Sequence, residues 1–136
     1  MKRSEKGGQI PVRVTGLKRI RRAAGYSFAG LRYTCRHEAA FRQELLLCLL
    51  LAPLIILVPL ALLAKLYLLG CLLLVLICEL VNTALEVILN HLSPGYSEAA
   101  KNGKDIGSAL VLVSLANLVI AFVALMAPLV PPWWQG

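Results

Sequence analysis

Three apolar stretches decide what this chain can become. They are LLLCLLLAPLIILVPLALLA at 45–64, LYLLGCLLLVLIC from 66 and running on to about 90, and IGSALVLVSLANLVIAFVALMA at 106–127. Crossing the hydrocarbon of a bilayer takes roughly 20 helical residues. Backbone amides in lipid have no water to bond, so each stretch is expected to be a helix. The 136 residues are 59% hydrophobic and 15% charged, whereas a soluble domain carries about 25% charge. No soluble core of useful size remains, and the expected fold is an all-α membrane protein with three spans.

Charge sets the orientation. Of 14 Lys and Arg, 11 precede residue 45, Lys65 stands alone between the first two spans, and Lys101 and Lys104 lie before the third. The positive-inside bias places the N-terminus and the 91–105 loop in the cytoplasm. The tail, with Trp133 and Trp134, is expected outside at the interface that amphipathic rings favour. The net charge of +7 borders a membrane and comes with no base-reading motif, so anionic headgroups and not nucleic acid are the expected counterpart. Cys35, Cys48, Cys71 and Cys78 show no CxxC spacing and read as small apolar residues.

Residues 1–15, polar and basic, are expected to be a flexible leader, and 16–136 a single membrane domain. Within 16–37, Leu17, Ile20, Ala24, Phe28, Leu31 and Cys35 recur at helical spacing among six arginines and lysines. That pattern predicts a basic amphipathic helix on the membrane surface, broken or softened near Gly25. EAAFRQE at 38–44 then leads into the first span, where Pro53 and Pro59 each predict a kink. Pro94 and Gly95 predict a turn-rich loop before the third span.

Glu79, Asn82 and Glu86 stand at i, i+3 and i+7 of the second span and fall on one helical stripe. An ionisable group in hydrocarbon is costly unless it has a partner, an aqueous edge or a function. Glu86 lies near the cytoplasmic surface and Glu79 about two turns, roughly 10 Å, deeper. Glu38 reaches the same surface from one side, and Lys104 and Asp105 from the other. The inventory suits phosphoryl transfer from a nucleotide to a lipid alcohol. Glu38 and Glu86 offer hard oxygen ligands to a divalent cation. Glu79, less solvated, can accept a hydroxyl proton, and Lys104 can offset phosphoryl charge. The bland alternative is that these polar side chains only bond helix to helix in an oligomer. No Walker motif, glycine-rich kinase loop, HRD or DFG element is present.

The ordered set RRAAGYSFAGLRY, EAAFRQE, ELVNTALE and KDIGSA, over about residues 17–127, resembles the small prokaryotic integral-membrane diacylglycerol kinases. The resemblance implies a homotrimer with shared sites that uses ATP and Mg²⁺ to phosphorylate a lipid alcohol in the bacterial inner membrane, with no further protein partner. It implies Glu79 as general base with Asn82 beside it, and Glu38 and Glu86 as magnesium ligands. Nucleotide contact is implied for Arg19, Tyr26, Gly95, Tyr96 and Ser97, with Lys104 and Asp105 on the phosphate side. The lipid path is implied along Ala23, Ala24, Gly25, Tyr26, Ser27 and Phe28, then Arg32, Tyr33, Thr34 and Cys35. It continues through Ala40, Phe41, Arg42, Gln43 and Glu44 to Ser108, and Arg19 and Glu79 also touch it.

The chain departs from the family's pattern at Phe28 (commonly Trp), Asn90 (Asp), Ser97 (His) and Gly103 (Ala). A prenol kinase of the same fold, acting on undecaprenol, is the alternative substrate class, although EAAFRQE is the diacylglycerol-kinase form. A non-catalytic, pore-forming or structural oligomer is the alternative class of function.

Overall fold

The structure is a computed structural model and describes residues 16–129; the expected leader at 1–15 and the Trp133–Trp134 tail lie outside that range. The chain forms two units, the first ending at Tyr33 and the second beginning at Thr34. Four helices follow in order, α1 (Leu17–His37), α2 (Ala39–Leu57), α3 (Leu62–Leu92) and α4 (Glu98–Met126), with a 3₁₀ turn at Ala127–Leu129. No strand occurs among the described residues.

Helix α1 opens at Gly16, whose φ of 69° is tolerated because glycine has no Cβ to clash. The Gly16 carbonyl accepts the Arg19 and Ile20 amides, at 3.0 and 3.4 Å. No break occurs at Gly25; α1 runs continuously from Leu17 to His37. A single helical glycine costs only about 1 kcal/mol, and Ala23 and Ala24 beside it are strong helix formers.

Helices α2, α3 and α4 are each long and apolar enough to cross a membrane. Their ends differ from the apolar blocks. Helix α2 begins at Ala39 and α4 at Glu98, because EAAFRQE and EAAKNGKD are rich in good helix formers whatever their polarity. The 91–105 loop therefore shrinks to 93–97. Ser97 caps α4, its Oγ accepting the Ala100 amide at 3.4 Å. Glu98 in the first turn complements the helix dipole.

The two prolines behave differently. Pro53 remains inside α2. Pro59 ends it: Val58 is extended, with ψ 143°, as the residue before a proline prefers. Residues 62–64, expected in the first span, thus belong to α3. Pro59 has no N–H to continue the ladder, and Leu60 bonds Val58 instead of Ile56. Lys65 fills the gap, its Nζ donating to the Ile56 carbonyl at 2.6 Å. A cation at a helix C-terminus is electrostatically favoured, which gives the lone lysine between the first two spans a structural reason.

Helix α3 is the central element, packed on α4 and on α2. Ile55, Leu68, Leu72, Val75, Leu118 and Ala121 make the core with Cys48 and Cys71. Three polar side chains thread it: Cys48 Sγ faces the Leu72 carbonyl at 3.6 Å, Asn117 Nδ2 donates to Cys71 Sγ at 3.3 Å, and Ser114 Oγ donates back to Val111 O at 2.7 Å. Leu49, Leu57, Leu63, Leu73, Val113 and Ile120 are exposed. In lipid such a surface is no liability, since acyl chains are as apolar as leucine.

Candidate active site

The α3 stripe is the foundation. Thr83 and Glu79 are buried and Asn82 and Glu86 are half-buried, so the polar edge of α3 turns inward as the 3.6-residue period requires. Glu79 is 3% exposed. Asn82 Nδ2 donates to Glu86 Oε1 at 3.5 Å, linking neighbours four residues apart on the stripe. Helix α2 contributes Glu38 and Glu44. Glu38 is the N-cap, and its carboxylate makes no capping bond to the helix, which leaves it available to the site. Glu44 is buried, with Oε2 unpartnered.

These groups line one cavity of about 330 Å³. Its polar wall is Glu38, Glu44, Glu79, Asn82, Glu86 and Ser108, and Ala40 lines it too. Its apolar side is Val111, Leu112 and Leu115 of α4. No lysine, arginine or histidine among the described residues lines it. Among the described residues, three buried side-chain polar atoms find no partner, Glu44 Oε2, Asn82 Oδ1 and Thr83 Oγ1. Leaving such groups unpaired is expensive, and carboxylates without a cation are more so. An all-oxygen donor set of this kind fits a hard divalent cation. Among the described residues no three His, Cys, Asp or Glu side chains converge as a ready-made metal cage. Mg²⁺ ordinarily uses one or two carboxylates and fills the rest of its shell with water and phosphate oxygens.

The other predicted residues fall elsewhere. Gly95, Tyr96, Ser97, Lys104 and Asp105 share a second cavity of about 290 Å³ with Ser93, Ala100 and Lys101. Lys104 Nζ donates to Asn90 Oδ1 at 2.7 Å, tying the start of α4 to the end of α3. Asp105 pairs with Lys101 at 2.9 Å, one turn away. Glu38, Glu44, Glu79, Asn82 and Glu86 thus line one cavity, and Lys104 and Asp105 line another with Lys101. Phe41 is buried, and neither it nor Arg42 nor Gln43 lines the acidic cavity. Arg42 instead donates from Nη1 to the Cys35 and Arg36 carbonyls, at 3.3 and 3.4 Å, closing the C-terminal end of α1. Thr34 is buried, and its carbonyl accepts the Glu38 amide at 2.8 Å. Arg19, Tyr26, Phe28, Arg32 and Tyr33 are exposed within the first unit.

Sequence reasoning missed the apolar wall from α4, because a run of aliphatic residues does not say which of them meets a cavity. It missed Lys101, whose i,i+4 spacing to Asp105 becomes meaningful only once 98–105 is helical. The Asn90–Lys104 bond had no local signal.

Three helices long and apolar enough to cross a membrane, with a carboxylate-lined cavity among them, define a helical membrane protein with an acidic candidate site. Residues 25–126 match the prokaryotic diacylglycerol kinase family. A diacylglycerol kinase of Pseudomonas aeruginosa is 38% identical over 112 residues, covering 82% of this chain and 91% of the relative. That of Escherichia coli K12 is 37% identical, over 82% of this chain and 92% of its own. A diacylglycerol kinase of Helicobacter pylori is 33% identical, over 79% and 84%. The chain belongs to the prokaryotic diacylglycerol kinase family and is a bacterial membrane lipid kinase.

Proposed function

We propose that the protein transfers the γ-phosphoryl group of ATP to the free hydroxyl of diacylglycerol at the cytoplasmic face of the inner membrane, giving phosphatidic acid. The observation that carries this is Glu79, a carboxylate 3% exposed in the same cavity as Glu38, Asn82 and Glu86. Glu79 accepts the proton of the lipid hydroxyl as that oxygen bonds phosphorus and the bond to ADP breaks. Glu38 and Glu86 would hold Mg²⁺, which when bound with ATP offsets phosphate charge. Asn82 steadies Glu86 through its amide.

Val111, Leu112 and Leu115 offer the first acyl carbons an apolar wall. Lys104, in the second cavity with Gly95, Tyr96 and Ser97, is assigned to the nucleotide phosphates. Exposed Arg19 and Tyr26 on α1 are assigned to nucleotide or headgroup contact. The N-terminus is cytoplasmic, and the working unit is a homotrimer. Three spans leave polar groups of one chain near lipid, and neighbouring chains supply the missing cover.

Purified protein in detergent–lipid micelles, given MgATP with diacylglycerol, monoacylglycerol, ceramide and undecaprenol in parallel, should form phosphatidic acid fastest. Preferential phosphorylation of undecaprenol would reassign the substrate. No product from any of the four would leave a structural oligomer.

A further inference from the structure

Helix α4 carries two glycines that face α3, Gly103 and Gly107, one turn apart. Their surroundings differ in kind. The three atoms nearest a Cβ at Gly103 would all belong to Leu89, with Cδ1 at 2.8 Å and Cδ2 at 3.6 Å. That is the free end of a flexible side chain, which can turn away. A Cβ at Gly107 would run into Oδ1 of Asn82, and would lie 3.4 Å from Asn82 Cγ and 3.6 Å from Leu85 Cδ1. Gly107 is itself buried.

The direction a Cβ would take is occupied in glycine by the second Cα hydrogen. That hydrogen therefore points at Asn82 Oδ1, an atom that is buried and has no hydrogen-bond donor. A C–H···O contact is a weak bond, but it is favourable to an oxygen and not to an N–H. The opposite side of the same amide faces a carboxylate, with Nδ2 donating to Glu86 Oε1. Flipping the amide would set Oδ1 against the carboxylate oxygen and aim an N–H at a carbon. Both sides of Asn82 thus select one orientation, and the α4 side does so only because residue 107 has no side chain.

We infer that Gly107 is a positioning residue, whose missing side chain lets the Asn82 amide lie against α4 and hold Glu86 in place for the reaction. It touches neither substrate nor ion; it acts through Asn82. This rests on the assignment of Asn82 and Glu86 to the active site above. Glycine is otherwise the poorest ordinary residue for a helix interior, and alanine would favour α4 at both positions. Helix propensity and the Asn82 contact therefore pull in opposite directions at Gly107 and not at Gly103.

The test is a set of variants of the full-length protein in detergent–lipid micelles: Gly103→Ala, Gly107→Ala, Asn82→Ala, and Gly107→Ala with Asn82→Ala. Rate, the Mg²⁺ concentration for half-maximal rate, and thermal unfolding are measured for each. Gly107→Ala should lower kcat by up to roughly 10²-fold, the scale of a misplaced catalytic group, and raise the Mg²⁺ requirement. Gly103→Ala should keep parental rate and stability. With Asn82 shortened to alanine, adding Gly107→Ala should cost no further rate and no stability, because the obstructed atom is gone.

Equal stability losses from Gly107→Ala in the parental and Asn82→Ala backgrounds would overturn the inference, and this readout survives even where activity is too low to measure. Parental kcat and Mg²⁺ dependence in Gly107→Ala would overturn it as well. Failure of the underlying assignment looks different: Asn82→Ala alone would then retain parental activity.

Discussion

Replacing Glu79 by glutamine separates chemistry from packing. The amide has the shape of the carboxylate and fills the same buried place, but it cannot take a proton. A positioned proton acceptor contributes about 10²–10⁴ in rate, equivalent to roughly 2.7–5.5 kcal/mol of barrier. Stability should move the other way or hold. Among the described residues the cavity carries four carboxylates, Glu38, Glu44, Glu79 and Glu86, and no basic side chain. Neutralising one removes both a desolvated charge and its repulsion of the others. Rate at saturating MgATP and diacylglycerol, nucleotide binding and thermal unfolding in detergent should therefore diverge. Turnover collapses, binding survives, and the unfolding midpoint is unchanged or higher. Turnover within a few-fold of the parent, or parallel loss of rate and stability, would refute the reasoning and make Glu79 structural. The next candidate base would then be Glu44, buried in the same cavity with Oε2 unpartnered. Asp105 does not share that cavity; it lies in the second one, paired with Lys101.

Glu38→Gln and Glu86→Gln should each raise the Mg²⁺ concentration needed for half-maximal rate while leaving the KM for lipid near its parental value, as a magnesium titration will check. Lys65→Met keeps the aliphatic stem but uncovers the Ile56 carbonyl. It should lower stability in detergent by about 1–2 kcal/mol without altering initial rates, and an unchanged unfolding midpoint would contradict the capping role. Asn90→Ala frees Lys104 from its anchor. At this partly exposed site the loss is about 0.5–1 kcal/mol, so the KM for MgATP should rise roughly two- to fivefold with kcat little changed.

The sequence alone determined that the chain is three membrane helices and a basic amphipathic one. Leucine-rich runs of that length have no other stable state, and a 3.6-residue period survives in the charges of α1. It also determined that Glu79, Asn82 and Glu86 share a face, because that is a property of one helix. What the apolar pattern could not determine was where helices end. Polarity marks the edge of lipid, whereas ends are set by backbone chemistry, as at Pro59, Ser97 and Lys65. Only the tertiary structure decided that Glu38 and Glu44 of α2 join the α3 stripe while Lys104 and Asp105 belong to a separate cavity. Only the packing of α4 on α3 aims Gly107 at Asn82 and Lys104 at Asn90. The reason is physical: intrahelical spacing is fixed by 1.5 Å and 100° per residue, while the rotation of one helix against another depends on side chains from both.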